Sequence, residues 1–208
     1  MGVIELNHPL VSHKLAILRN KNTGTKEFRE IVGELSTILC YEALKDAKTV
    51  EEEIETPLCK MKAHKINEDN YAFIPILRAG TGMLDGLINI MPNAKIGHIG
   101  MYRNEETLKP VKYYYKTPKD LAKREVIVLD PMLATGGSAM DAITMLKEDG
   151  AINLKFLCIL AAPEGIQKMQ EIHPDLPIYC TAIDEHLNEN GYIVPGLGDA
   201  GDRIFGTK

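Results

Sequence analysis

No C-x-x-C pair, no long apolar run and no surplus of positive charge occur in this chain of 208 residues. Each absence excludes a class. The four cysteines, Cys40, Cys59, Cys158 and Cys180, are scattered, and three lie among apolar neighbours (STILCYEAL, KFLCIL, PIYCTAI), so reduced and mostly buried thiols are expected rather than disulfides or a metal site. The six histidines are equally dispersed; His8, His13 and His64 read as structural, with no i, i+4 ligand pair to suggest zinc. No apolar stretch approaches the roughly 20 residues of a membrane span, and MGVIELNHPL carries acid and polar groups where a signal peptide needs an apolar core. A cytoplasmic protein with no membrane partner is expected. A formal net charge of -5 offers no basic face to nucleic acid, so any bound anion must be met by local groups.

Two phosphate motifs are missing as well. Gly137 is followed by Ser138, not lysine, and no G-x-x-x-x-G-K-[ST] occurs, which excludes a Walker ATPase. RAGTGMLDG spaces Gly80, Gly82 and Gly86 one residue too widely for G-x-G-x-x-G, and no acid-ended strand follows at the distance a ribose contact requires.

What is present is an ordinary globular composition, 45% hydrophobic and 25% charged, with no internal repeat. One domain over residues 1–208 is expected. TKEFREIVGELSTILCYEAL places apolar residues at 28, 31, 32, 35, 38 and 39, the stripe of a one-sided helix, with Thr25 as its N-cap. TVEEEIETPL and KMKAHKI read as exposed, charged strands near a sheet edge. YAFIPIL, KIGHIGM, EVIVLD, LKFLCILAA and PIYCTAI are short apolar runs, several of them separated by helical segments, an alternation that predicts an α/β domain with a largely parallel central sheet flanked by helices.

The most informative stretch is VIVLDPMLATGGSAM, residues 126–140. It reads as strand, loop and helix, the helix carrying apolar residues at 139, 142, 143 and 146 and closing at Gly150. A helix that starts at the C-terminal end of a parallel strand aims unpaired N–H groups and the positive end of its dipole at the loop. Glycine lets the backbone approach a phosphate closely, and the Thr135 and Ser138 hydroxyls add donors. Spacing alone leaves a second reading open, a tight strand-to-helix connection capped by serine.

VIVLDPMLATGGS resembles the phosphoribosyl-diphosphate (PRPP) signature of the type I phosphoribosyltransferases. ILRAGTGM, GMYRNEETL, GYIVPGLGDAGDRIFGTK and HPLVSHKLAILRN extend the likeness over nearly the whole chain, and they resemble the uracil phosphoribosyltransferases in particular. That resemblance implies transfer of the phosphoribosyl group of PRPP to uracil N1, giving UMP and pyrophosphate.

It also implies a set of site residues. PRPP is expected at Arg78, Arg103, Asp130, Pro131, Met132, Leu133, Ala134, Thr135, Gly136, Gly137, Ser138 and Asp199, with Asp130, Arg103 and Asp199 taking catalytic parts. Asp130 would accept from the ribose hydroxyls beside developing positive charge. Arg78 and Arg103 would fork onto the diphosphate, Arg103 from a mobile hairpin hood over about residues 103–120 that excludes water on closing. The three tyrosines from Tyr113 to Tyr115 read as strand packing. Uracil is expected in a C-terminal base-binding segment, about residues 191–206, where Ile193, Gly198, Asp199 and Ala200 are the matching positions. There, backbone groups can read its acceptor–donor–acceptor edge and reject cytosine. Asp199 serves either the metal-bound diphosphate or the N1 proton, and the first is favoured; Asp202 reads as structural.

One departure concerns the metal. The wider signature has two adjacent acids, whereas Pro131 fills the second position here, as in uracil-specific members. Mg²⁺ held by diphosphate oxygens and water is expected, with no protein ligand named. The resemblance further implies a homodimer or higher homo-oligomer, and a GTP effector is a candidate partner. The competing classes are a phosphoribosyltransferase for another base, which needs an aromatic or lysine-bearing pocket in place of PGLGDAG, and a non-catalytic PRPP-binding regulator, which needs a basic face or an added DNA-binding helix.

Overall fold

The structure is a computed structural model that describes residues 2–103 and 110–207, with the side chains of 102, 103 and 110 excepted. In chain order its elements are β1 (Val3–Glu5), α1 (Pro9–Arg19), α2 (Thr25–Ala43), β2 (Thr49–Glu55), β3 (Lys60–Ile66), β4 (Tyr71–Leu77), α3 (Thr81–Ile88), β5 (Lys95–Ile96), β6 (His98–Arg103) and β7 (Pro110–Lys116). There follow β8 (Glu125–Leu129), β9 (Met132–Leu133), α4 (Gly137–Glu148), β10 (Asn153–Ala161), α5 (Pro163–Ile172), β11 (Ile178–Ile183), β12 (His186–Leu187), β13 (Ile193–Val194) and α6 (Ala200–Phe205).

The central sheet runs β1-β11-β10-β8-β4-β6-β7, with β5 added to β4 and β9 to β10. Every described pairing in it is parallel except β6 with β7. Alternation along each strand explains why both faces need cover. In β8, Ile127 and Leu129 point into the cluster formed with α1, α2, α3 and α6, while Val126 and Val128 join α4 and α5 on the other face. The helix stripes match: Phe28, Ile31, Val32, Leu35 and Leu39 of α2 are buried, as are Ala139, Ala142, Ile143 and Leu146 of α4. Phe28, Phe73 and Phe156 are fully enclosed; truncating any one to alanine costs about 3–5 kcal/mol.

Two expectations are corrected. β2 and β3 do not extend the main sheet; they pair only with each other, as a separate two-stranded sheet with charged faces. The cross-strand pairs Glu51–Lys62 and Glu52–Lys65 satisfy those charges within the hairpin, so no neighbouring strand is needed. Thr25 is not the cap of α2 but its first residue: Gly24, with extended backbone, stands at the N-cap and no side chain caps the helix. Gly150 does close α4 in the left-handed region, at φ 94°. Cys40, Cys158 and Cys180 are buried free thiols and Cys59 is an exposed one.

Candidate active site

The chain leaves β8 at Leu129, and Asp130 stands half-buried at the strand's end, its own N–H donating to the Leu157 carbonyl at 3.2 Å. Its Oδ1 accepts from the Met132 N–H at 3.2 Å. Burial pushes the carboxyl up to about 7, and that single amide pulls it back only partly. A charge there is costly until donors reach it.

The next residues are tied to the neighbouring strand. The Pro131 carbonyl accepts from the N–H groups of Ile159 and Leu160, both at 3.0 Å, and the Leu133 carbonyl accepts from Ala162 at 2.9 Å. With Met132 and Leu133 forming β9 against β10, residues 131–133 anchor the loop that follows. At that loop Gly136 adopts φ 78° and is the N-cap of α4, without any side-chain cap. The serine-cap reading is therefore corrected: Ser138 lies inside the first turn. Among the described residues no hydrogen bond engages the N–H groups of Thr135, Gly136, Gly137 and Ser138, nor the Thr135 and Ser138 hydroxyls. Four donors left open at the head of a three-turn helix make a candidate anion cradle.

Sequence reasoning missed Gly165, in the first turn of α5. A Cβ there would overlap the carbonyls of Ala134 and Leu133, so only glycine lets α5 back the loop this closely. Its one visible signal was a glycine inside a helix start, PEG, where a better helix former would ordinarily stand.

Arg78 follows β4 and is exposed, with no carboxylate paired to it among the described residues. The turn beneath it is tight. Thr81 donates both its N–H and its hydroxyl to the Arg78 carbonyl, at 3.1 and 2.7 Å, and the Gly80 N–H donates to the Ile76 carbonyl at 2.9 Å. The Arg78 guanidinium lies 5.8 Å from the Phe205 ring centroid, which links this turn to α6.

The C-terminal segment completes the rim. Ile193 and Ala200 are buried, whereas Gly198 and Asp199 are exposed. Asp199 is the N-cap of α6, its Oδ1 accepting from the Asp202 N–H at 2.8 Å. Asp202 in turn accepts from the Thr207 hydroxyl at 2.6 Å, the structural part expected of it. Among the described residues no hydrogen bond engages the N–H or C=O of Gly198, and the Ala200 N–H, first in its helix, has no intrahelical acceptor. A Cβ at Gly191 would lie 3.6 Å from Thr135 Cγ2, which puts this segment against the anion cradle. Asp130, Thr135–Ser138, Arg78 and residues 191–200 thus meet at the C-terminal ends of β4 and β8, where open α/β sheets bind ligands.

Arg103 ends β6, its backbone paired with Pro110 of β7; its side chain and residues 104–109 of the expected hood lie outside the described residues. Of the tyrosines only Tyr115 packs into the α4 side of the core, while Tyr113 and Tyr114 stay largely exposed. Among the described residues no group of three or more His, Cys, Asp and Glu could hold a metal ion.

Residues 5–207 match the family model described as uracil phosphoribosyltransferase. The chain belongs to the uracil phosphoribosyltransferase family. Curated members agree: the uracil phosphoribosyltransferase of Clostridium botulinum (strain Eklund 17B / Type B) is 62% identical over 206 residues, covering 99% of each chain. That of Lactiplantibacillus plantarum is 56% identical over 209 residues, covering 100% of each. A solved Aquifex aeolicus protein superposes with a TM-score of 0.93 at 41% identity, over 98% of this chain and 97% of that one. A Bacillus anthracis hypoxanthine-guanine phosphoribosyltransferase shares the fold alone, with a TM-score of 0.53 at 17% identity over 77% of this chain and 80% of its own. The uracil phosphoribosyltransferase fold is thus a mostly parallel sheet between helices, as its strand alternation predicted.

Proposed function

We propose that this chain transfers the 5-phosphoribosyl group of PRPP to uracil N1, releasing pyrophosphate and UMP. The observation that carries the reading is the cluster of four unengaged N–H groups at Thr135–Ser138, uncapped at the head of α4 and adjoined by Gly191 of the C-terminal segment. Those donors take the 5′-phosphate, which sets the ribose over Asp130. Two sugar hydroxyls donating to its carboxylate replace the solvation that burial removed, and the ionised form then stabilises positive charge at C1′ as the bond to pyrophosphate lengthens. Arg78, exposed and without a carboxylate partner among the described residues, forks onto the diphosphate, and Arg103 is assigned the same task on the family resemblance.

Uracil is assigned to the backbone of residues 193–200. The open groups of Gly198 and Ala200 support reading its O4, N3–H and O2 edge, and cytosine would set donor against donor. Asp199 is assigned to the diphosphate side through water, its cap contact fixing the carboxylate; unchanged turnover and metal dependence in Asp199→Asn would remove it from that role. Without a ligating cluster among the described residues, Mg²⁺ is assigned to the diphosphate oxygens and water. Homo-oligomerisation and a response to GTP rest on the family resemblance, and sedimentation with and without GTP tests both. Among the described residues no helix is long and apolar enough to cross a membrane, and we place the protein in the cytoplasm.

The deciding assay is pyrophosphate release from PRPP and Mg²⁺ with uracil, against hypoxanthine, orotate and cytosine. Release with uracil far above that with the other three bases is expected. No release with uracil overturns the reading.

A further inference from the structure

The stretch HPLVSHKLAILRN supplies α1 but no group to the site described above. Its last helical residue, Arg19, reaches across 165 positions of chain to Asp184, donating Nη2 to Oδ1 at 2.5 Å and Nη1 to Oδ2 at 2.7 Å. The same Nη1 donates to the Gly196 carbonyl at 2.8 Å, and Asp184 Oδ2 accepts from the Gly196 N–H, also at 2.8 Å. One ion pair therefore engages both peptide groups of a single residue. The Asp184 side chain is 4% exposed and that of Arg19 24%, so water competes little for either.

Gly196 is the residue where this grip matters. It adopts φ 63°, and a Cβ on it would overlap the Ile193 carbonyl, so its backbone is folded directly onto one of the positions assigned to the base. Two residues later comes Gly198, whose peptide groups are open. Between them Leu197 has its carbonyl held by Arg203 Nη1 at 2.8 Å, and the same nitrogen donates to the Leu18 carbonyl at 2.7 Å. Packing accounts for only part of this: Leu197 is buried in the core, but a cavity of about 770 Å³ lies along the segment, lined by Arg19, Pro195, Gly196, Gly198 and Arg203 among others. Beside that space, hydrogen bonds from Arg19, Asp184 and Arg203 hold the backbone of Gly196 and Leu197, the two residues that lead into Gly198.

We infer that the Arg19–Asp184 pair is a positioning device for base selection, holding the Gly196 peptide so that the backbone of Ile193 and Gly198 keeps the spacing that separates uracil from cytosine. This rests on the proposed uracil transferase reading. Arg19 and Asp184 touch neither substrate; they act through Gly196. A planar guanidinium is required because it must fork onto the carboxylate and still reach a carbonyl, which a lysine ammonium on a flexible stem does not reproduce. Loss of the grip leaves the anion cradle intact, because Thr135–Ser138 are held by β9, β10 and α5 rather than by α1.

The test compares wild type with Asp184→Asn and Arg19→Lys, in steady state with PRPP saturating and uracil or cytosine varied, then with uracil saturating and PRPP varied. The expected result for either variant is a rise in KM for uracil of tenfold or more, a KM for PRPP within twofold of wild type, and at least a fivefold fall in the uracil-over-cytosine ratio of kcat/KM. PRPP-induced thermal protection equal to wild type identifies which variants are folded, and Arg19→Lys carries the test if Asp184→Asn does not fold. An unchanged uracil KM and selectivity in a folded variant, or equal rises in both KM values, overturns the inference while wild-type turnover of uracil still stands. Wild type that fails to turn over uracil overturns the function itself.

Discussion

Replacing Asp130 by asparagine should stabilise the empty protein while disabling it. The carboxyl sits at the end of β8 with one amide donor, and burial lifts it from 3.8 to about 7. Each factor of ten is 1.36 kcal/mol, so the full rise sets a ceiling of about 4 kcal/mol. Because Asp130 is only half-buried, solvent screening reduces this to about 1–2 kcal/mol. The sign follows from linkage. With the folded value above the unfolded one, the native state favours the protonated acid. Stability from that source is therefore complete below about pH 3.8 and is lost as pH rises through about 7. The replacement amide is never charged, and its Oδ1 can still accept from the Met132 N–H. Asp130→Asn should then melt about 2–8 °C above wild type at pH 8, taking 2–4 °C per kcal/mol for a chain of this size. The gap should close as pH falls toward 4. Scanning calorimetry from pH 4 to pH 8 without ligand gives the difference directly, and pyrophosphate release should drop by at least 100-fold, in line with loss of one electrostatic stabiliser. A variant less stable than wild type at pH 8, or a difference that does not vary with pH, refutes the idea that the site stores an unfavourable charge for its ligand to relieve.

Gly80→Ala would drive a Cβ into the carbonyls of Leu129 and Ile76; a loss of about 3 kcal/mol is expected in chemical denaturation, with Arg78 displaced. Gly136→Ala must adopt φ 78° and approach the Gly165 carbonyl, costing about 1–2 kcal/mol; calorimetric titration should show PRPP binding weakened at least tenfold. Lys155, whose ammonium is held by the Ala43 carbonyl, Asp46 and Glu125, lies near the N-terminal end of β10, at the opposite end of the parallel strands from the site. Lys155→Ala should cost about 3 kcal/mol in urea melts yet leave kcat of the folded fraction within twofold of wild type.

Patterns set by nearby residues were readable in the sequence. The apolar stripe at 139, 142, 143 and 146 predicted the buried face of α4, and the runs at 71–77 and 125–129 gave strands buried on both sides, because a period visible in one window is enough to say which face is wet. The TGGS turn was legible as a strand-to-helix connection, while its spacing alone left a serine cap open, which Gly136 at the N-cap replaces. The reading failed where a local pattern fits more than one arrangement, and where partners lie far apart in sequence. The alternating charges of β2 and β3 fit an edge strand of the main sheet as well as an independent hairpin, and only their mutual pairs decide between them. Thr25 looked like the cap of α2, but Gly24 already has the extended backbone that position needs. Gly165 gave no motif, since the carbonyls it must clear belong to Leu133 and Ala134, on the far side of α4 and β10 in the chain. Asp184 appears in sequence as one acid in AIDEHL; its meaning depends on Arg19, on the first helix.

The central claim is that backbone donors at the head of α4 grip the 5′-phosphate of the activated sugar. A crystal structure with PRPP, or with ribose 5-phosphate, tests it most directly. The account predicts phosphate oxygens within about 3 Å of the N–H groups of Thr135–Ser138 and both ribose hydroxyls on Asp130. A phosphate bound elsewhere, with that turn left open, contradicts it.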